Sequence, residues 1–165
     1  MAELKLYKID KQYLDYLRKF DIKVPKADYE FDGKRQKLYC GVVLSIDSYQ
    51  YFVPLSHQIK KNYETVFPIL ANNSKEIAVL NFKFMIPVAD NSLIQNVKLS
   101  NLNKSNPEDS KYIELLSTEL QFIKLNEADI KEKAMIVYST QKEDSKYWAK
   151  FCCNFSDLES AADNY

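Results

Sequence analysis

Glycine is nearly absent from this chain: Gly33 and Gly41 are the only two among 165 residues. Without a G-x-G-x-x-G turn or a glycine-rich phosphate loop, the sequence argues against nucleotide-driven chemistry. Histidine is scarcer still, with His57 alone. The three cysteines, Cys40 and the adjacent Cys152 and Cys153, have neither the pairing of a disulfide framework nor metal-ligand spacing. They read as buried thiols of a reducing compartment. One histidine and these cysteines are too few ligands for zinc, and no pair of carboxylates breaks an apolar strand as a two-metal nuclease requires. No metal and no cofactor is therefore expected. Long apolar runs are missing too, since no stretch approaches the roughly 18 residues of a membrane span. The opening MAELKLYKID lacks a basic region followed by an apolar core. The expectation is a cytoplasmic protein with no membrane partner.

What is present is enough for one core. A chain that is 46% hydrophobic and 13% aromatic buries a full interior as a single domain, residues 1–165. The net charge is zero, but it is unevenly placed. Residues 1–104 hold 16 Lys and Arg against 11 Asp and Glu, whereas residues 105–165 hold 7 against 12. The halves carry +5 and −5, so a basic groove on a neutral protein remains open to RNA phosphates. An ordinary mixed-charge surface accounts for the same count.

Along the chain, Leu4 to Ile9 reads as a strand, and Asp10 caps a helix through about Phe20. Tyr13, Tyr16, Leu17 and Phe20 share its face, which is a core stripe with a tyrosine able to reach a groove. After Pro25 comes a polar loop to Gln36. Leu38 to Ile46 and Tyr49 to Leu55 form a hairpin around Asp47-Ser48. Ile77 to Ile86 reads as one long strand that puts Asn81 and Lys83 on a common face. Ile94 to Leu99 is a shorter strand. Helices are predicted over Ser110 to Leu125, Glu127 to Ser139 and Glu143 to Cys152. Ser156 to Glu159 has capping-box spacing for a last helical turn. Early strands and later helices indicate an α+β fold with a compact, strongly bent antiparallel sheet.

The hairpin carries the candidate chemistry. Lys37 stands at the start of its first strand and Ser56-His57 at the end of its second, side by side in an antiparallel pair. An ammonium, a hydroxyl and an imidazole would there converge on one phosphate. Around them lie basic and aromatic residues in the mixture that single-stranded RNA binding uses: Lys23, Lys26, Tyr29, Phe31, Lys34 and Arg35 in the loop, then Lys60 and Lys61. Taken singly, each has a plainer reading, as a strand-end charge, a turn hydroxyl or a surface imidazole.

Five blocks spread through the chain resemble the ToxN/AbiQ family of endoribonuclease toxins, from type III toxin–antitoxin systems, in a CptN-like form. They are KLYKIDKQYLDYLRKFDIKVP, KLYCGVVLSIDSYQYFVPLS, LNFKFMIPV, LSTELQFIKLN and CNFSDLE, in family order. The resemblance implies a MazF/Kid-like small barrel with added helices. It implies metal-independent cleavage at A-rich sites in cellular or phage RNA, an antitoxin RNA of pseudoknot repeats that the toxin processes, a closed ring of toxin and RNA, and roles in phage defence by abortive infection. By the same resemblance the catalytic lysine falls on Lys37, and the hydroxyl pair after Pro-Leu becomes Ser56-His57, its second hydroxyl replaced by histidine. Tyr13 matches the helical tyrosine, and Gln121 and Phe122 are weaker pocket candidates. A lysine that follows the hydroxyl pair in relatives has no clean counterpart, because Ile59 holds that offset and Lys60 follows it.

The expected catalytic set is thus Lys37, Ser56 and His57. The RNA-binding set is Tyr13, Lys23, Lys26, Tyr29, Phe31, Lys34, Arg35, Lys60, Lys61, Asn81, Lys83 and Gln121. Metal-free cleavage uses the RNA 2′-OH as nucleophile and leaves a 2′,3′-cyclic phosphate and a 5′-OH. His57 suits acid–base work near neutral pH. Lys37 stabilises the phosphate or acts as base, and Ser56 donates a hydrogen bond. The competing readings are a non-catalytic RNA-binding module and a small-barrel protein-interaction domain.

Overall fold

A computed structural model describes residues 3–27, 36–102 and 105–165. Its strands are β1 (Lys5–Ile9), β2 (Tyr39–Ile46), β3 (Tyr49–Ser56), β4 (Val66–Leu70), β5 (Glu76–Asn81), β6 (Ile86–Val88) and β7 (Ile94–Asn96). Helices are α1 (Lys11–Arg18), α2 (Pro107–Leu125), α3 (Glu127–Glu143) and α4 (Phe155–Asp163). The fold is α+β around one antiparallel sheet of order β4-β5-β3-β2-β1-β7, with β6 also paired to β3. Two different strands share one edge of β3: Gln50 to Phe52 pair with β6, whereas Leu55 and Ser56 pair with β5. A single strand serving two neighbours in succession bends the sheet at its centre.

The β2–β3 hairpin turns at Asp47, whose φ of 53° is the left-handed conformation that a short hairpin loop demands and that aspartate tolerates. Pairing runs from Ile46↔Tyr49 to Tyr39↔Pro54, with a register shift between Gly41 and Leu44. Gly41 lies opposite Phe52, and the ring occupies the space of a side chain. A Cβ on Gly41 would stand 2.2 Å from Phe52 Cδ2. The same ring meets Tyr7 edge-on at 5.2 Å.

Four expected boundaries change. The run from Ile77 to Ile86 is not one strand, because the Asn81 side chain accepts a hydrogen bond from Lys83 N at 3.3 Å and starts a 3-10 turn over Phe82–Phe84. Asparagine here offers the backbone a local partner in place of the ladder. β4 is a strand the sequence reading missed, its signal interrupted by Pro68; it lies at the sheet edge, where proline is tolerated. α3 continues to Glu143 and ends on Asp144 at φ 50°, and only a 3-10 segment, Tyr147–Phe151, replaces the helix expected there. α4 begins under Asn154, whose side chain accepts from Asp157 N at 3.1 Å, so Ser156 is inside the helix and not its cap.

Tyrosine hydroxyls attach α4 to β3, α1 and α3. Tyr51 and Tyr138 both donate to Glu159 Oε2, at 2.7 and 2.8 Å, and Lys142 reaches its Oε1 at 3.0 Å. Tyr49 donates to Asp163 at 2.6 Å and Tyr16 to the Ala161 carbonyl at 2.7 Å. Buried tyrosines keep their apolar ring in the core while the hydroxyl finds a partner at its rim.

Gly41→Ala is expected to lower stability by about 1–3 kcal/mol, since Phe52 must leave its position; chemical denaturation will measure it. The three cysteines are free and buried. Burial pushes all three thiols up, that of Cys152 to about 11. Reaction with a disulfide reagent at neutral pH is therefore expected to be on the order of 100-fold slower for the native protein than for the chain in urea.

Candidate active site

A cavity of about 350 Å³ opens where the end of α1 and the segment after it face the open end of the β2–β3 hairpin. Ile22, Val24 and Pro25 form one wall, and Pro54 and Phe84 add apolar surface. The charged lining is entirely cationic among the described residues: Arg18, Lys23, Lys26, Lys37 and Lys60. Ser56, Gln58 and Asn81 complete it. Apolar walls with a few placed polar groups suit a flat organic ring, and the cations suit the phosphates on either side.

Each wall has a local cause. The Arg18 guanidinium donates to the carbonyls of Ile22, at 3.2 Å, and Val24, folding the chain back after α1. The buried Asp21 carboxylate accepts from Lys23 N at 3.0 Å and Asn154 N at 2.7 Å, which docks this segment on the start of α4. Lys37 N donates to the Ala27 carbonyl at 2.7 Å. On the other wall, the hairpin ladder continues past its last paired strand residues, with Leu55 N donating to the Leu38 carbonyl at 2.9 Å. Extending the Tyr39↔Pro54 register by two residues puts Lys37 opposite Ser56. Directly opposed residues share a sheet face, and both line the cavity. Lys37 is only 5% exposed, so its ammonium acts at short range and in reduced dielectric.

His57 does not join them. β3 closes at Ser56, and in the bend that follows it Gln58 lines the cavity beside Ser56 while the His57 imidazole between them reaches α2. There its Nε2 is 2.7 Å from Oε1 of Glu119. Of the three groups expected to converge, Lys37 and Ser56 line the same cavity, whereas His57 is bonded to Glu119 and is not among its lining residues.

Of the expected RNA-binding residues, Lys23, Lys26, Lys60 and Asn81 line the cavity. Tyr13 does not: it is buried, and its hydroxyl donates to the Pro87 carbonyl at 2.5 Å. Lys83 lies in the 3-10 turn with its ammonium 5.6 Å from the Phe84 ring centre, so it does not share a strand face with Asn81. Lys61 is exposed beside the cavity without lining it, and Gln121 is exposed on α2, two residues beyond the inward-facing Glu119. Phe122 packs on Phe67 instead, with ring centres 6.4 Å apart. Tyr29, Phe31, Lys34 and Arg35 lie outside the described residues. The sequence reading missed Arg18, Gln58, Phe84 and Glu119. Strand alternation from Ser56 was the available signal for Gln58; nothing local announced Arg18 or Phe84. Among the described residues no three His, Cys, Asp or Glu side chains are grouped to hold a metal ion, and no helix is long and apolar enough to cross a membrane.

Comparison with known proteins gives a consistent result. The family model "Toxin ToxN, type III toxin-antitoxin system" matches residues 5–163. The endoribonuclease ToxN of Bacillus thuringiensis subsp. kurstaki is 30% identical, over 98% of this chain and 84% of that protein. The endoribonuclease AbiQ of Lactococcus lactis subsp. lactis is 29% identical over 98% of this chain and 89% of its own. A solved type III toxin–antitoxin structure, described as selective toxin inhibition by a non-coding RNA pseudoknot, superposes with a TM-score of 0.84 at 28% identity, covering 99% of this chain and 98% of the other. The solved structure of AbiQ, described as a lactococcal anti-phage endoribonuclease of the type III class, superposes with a TM-score of 0.83 over the same shares. With a cavity built at the hairpin mouth and a family match over nearly its whole length, the chain belongs to the ToxN toxin family of type III toxin–antitoxin systems.

Proposed function

We propose that this protein is an endoribonuclease toxin that cuts A-rich RNA in the cytoplasm without a metal ion and is held inactive by an antitoxin RNA. The observation that carries this reading is the opposition of Lys37 and Ser56 across the mouth of the hairpin, in a cavity whose charged lining is cationic among the described residues. Attack of the RNA 2′-OH on the adjacent phosphate forms the P–O2′ bond and breaks the P–O5′ bond, with the 2′-OH proton lost to solvent and the departing 5′ oxygen protonated from solvent to a 5′-OH. Charge accumulates on the pentavalent phosphate. The Lys37 ammonium stabilises that charge, and the Ser56 hydroxyl donates to a non-bridging oxygen. Lys23, Lys26 and Lys60 hold the flanking phosphates. Ile22, Val24 and Phe84 offer apolar contact to a base, and Asn81 has the amide that pairs naturally with adenine.

The naming of relatives as endoribonucleases and the pseudoknot inhibitor of a similar structure support the same assignment. The antitoxin in this reading is a repeat-derived pseudoknot RNA that the toxin itself processes, joined with it in a closed ring. The bent sheet, with β3 shared between β5 and β6, is compatible with a MazF/Kid-like small barrel.

Two measurements test this reading. In excess EDTA, the wild-type protein is expected to cut an A-rich repeat RNA to 2′,3′-cyclic phosphate and 5′-OH ends. Lys37→Ala should be slower by roughly 100- to 10,000-fold and Ser56→Ala by a smaller factor. Intact RNA bound equally by all three proteins would mean a binding module and no cleavage. Binding should also weaken with salt, and each of Lys23→Ala, Lys26→Ala and Lys60→Ala should reduce the slope of log K against log salt by about 1. An unchanged slope for all three would remove phosphates from this cavity.

A further inference from the structure

Glu119 is a carboxylate placed where a helix needs an apolar residue. The inward face of α2 consists of Leu116, Glu119 and Ile123, and Glu119 is 0% exposed. Burying a carboxylate is strongly unfavourable unless a partner compensates it. Its Oε1 is held by His57 Nε2 at 2.7 Å, across 62 residues of sequence. The location of that bond gives it a consequence for the cavity. Regular pairing of β3 ends at Ser56, opposite Val79 of β5. Among the described residues the strand pairing of β3 does not continue past Ser56; Ser56 and Gln58 both line the cavity, and Gln58 N donates to Ser56 Oγ at 3.2 Å. His57 is the residue between them.

We propose that His57 and Glu119 are a positioning pair, a bond from sheet to helix that sets the Ser56 hydroxyl and Gln58 at their places opposite Lys37. The inference rests on the cavity being the site of RNA cleavage. It differs from an acid–base role for His57, because the pair faces α2 and not the cavity. What the imidazole contributes is a directed N–H donor of fixed reach, and what Glu119 contributes is a buried acceptor on a rigid helix. Displacement of a reacting group by 1 Å costs about 100-fold in rate, so a pin at this point controls the rate without touching RNA.

The test is single-turnover cleavage of an A-rich repeat RNA in EDTA, with RNA affinity measured in a Lys37→Ala background and folding followed by thermal denaturation. His57→Ala and Glu119→Ala should each slow cleavage by about 100-fold with affinity changed less than about threefold. The double variant should be no slower than either single one, because both remove the same bond. His57→Gln and Glu119→Gln retain an amide donor or acceptor near the original atoms and should recover most of the rate. Glu119→Asp keeps the charge but falls short by one methylene, and should behave like the truncations; it decides the matter if the alanine proteins do not fold. A rate for His57→Gln as low as for His57→Ala would show that the titrating imidazole itself is required and would overturn the proposal. Wild-type rates for the truncated proteins or for Glu119→Asp would do the same. Absence of cleavage by the wild-type protein would instead remove the nuclease reading on which the pair depends.

Discussion

The antiparallel register between β2 and β3 is the constraint on which the site depends. Because Tyr39 pairs with Pro54, Lys37 comes to stand opposite Ser56, and every second residue along the exit of β3 points into the same space. A shift of one residue would exchange the two faces, sending Ser56 to α2 and His57 to the cavity. The register is held from both ends. At the turn, Asp47 adopts the left-handed conformation that a short hairpin loop requires; in the middle, Gly41 leaves room for the Phe52 ring, which no other residue type at that position would do. Small local requirements at positions 41 and 47 thus determine which side chains meet at 37 and 56.

Charge follows the same division of labour. Among the described residues the cavity is lined by positions between 18 and 84, all within the half of the sequence with a surplus of Lys and Arg. The acidic half supplies α2, α3 and α4, which pack behind the sheet and spend their carboxylates on structural bonds. Glu159 gathers Tyr51, Tyr138 and Lys142; Asp163 takes Tyr49; Glu119 takes His57. A net charge of zero therefore describes the whole chain and not the surface that would meet a polyanion. The abundance of tyrosine has a related cause, since Tyr49 and Tyr51 from β3, Tyr16 from α1 and Tyr138 from α3 all reach α4, apolar along the ring and polar at the tip.

The end of β3 and the buried charge of α2 meet at one place. The Pro54-Leu55-Ser56 end of β3 leads directly into a histidine whose partner lies on α2. A carboxylate inside a helix packed on a sheet is destabilising in isolation. Its presence opposite the only histidine ties the identity of one residue to the other.

Much of this was legible in the amino-acid sequence alone. The hairpin, its Asp47-Ser48 turn, the Asp10-capped first helix, the α+β class and the basic half all follow from local periodicity and turn chemistry, which each segment carries within itself. Lys37 and Ser56 could be placed together because a hairpin joins neighbours in sequence. Glu119 passed unremarked within the helical spacing of α2, because nothing in that segment names a partner 62 residues away. That Tyr13 is tied to Pro87, that Arg18 folds residues 22–24 back to wall the cavity, and that α2 meets the end of β3 were decided only by tertiary structure. Those contacts depend on how distant surfaces pack together, and no single segment encodes the shape of the surface that will cover it.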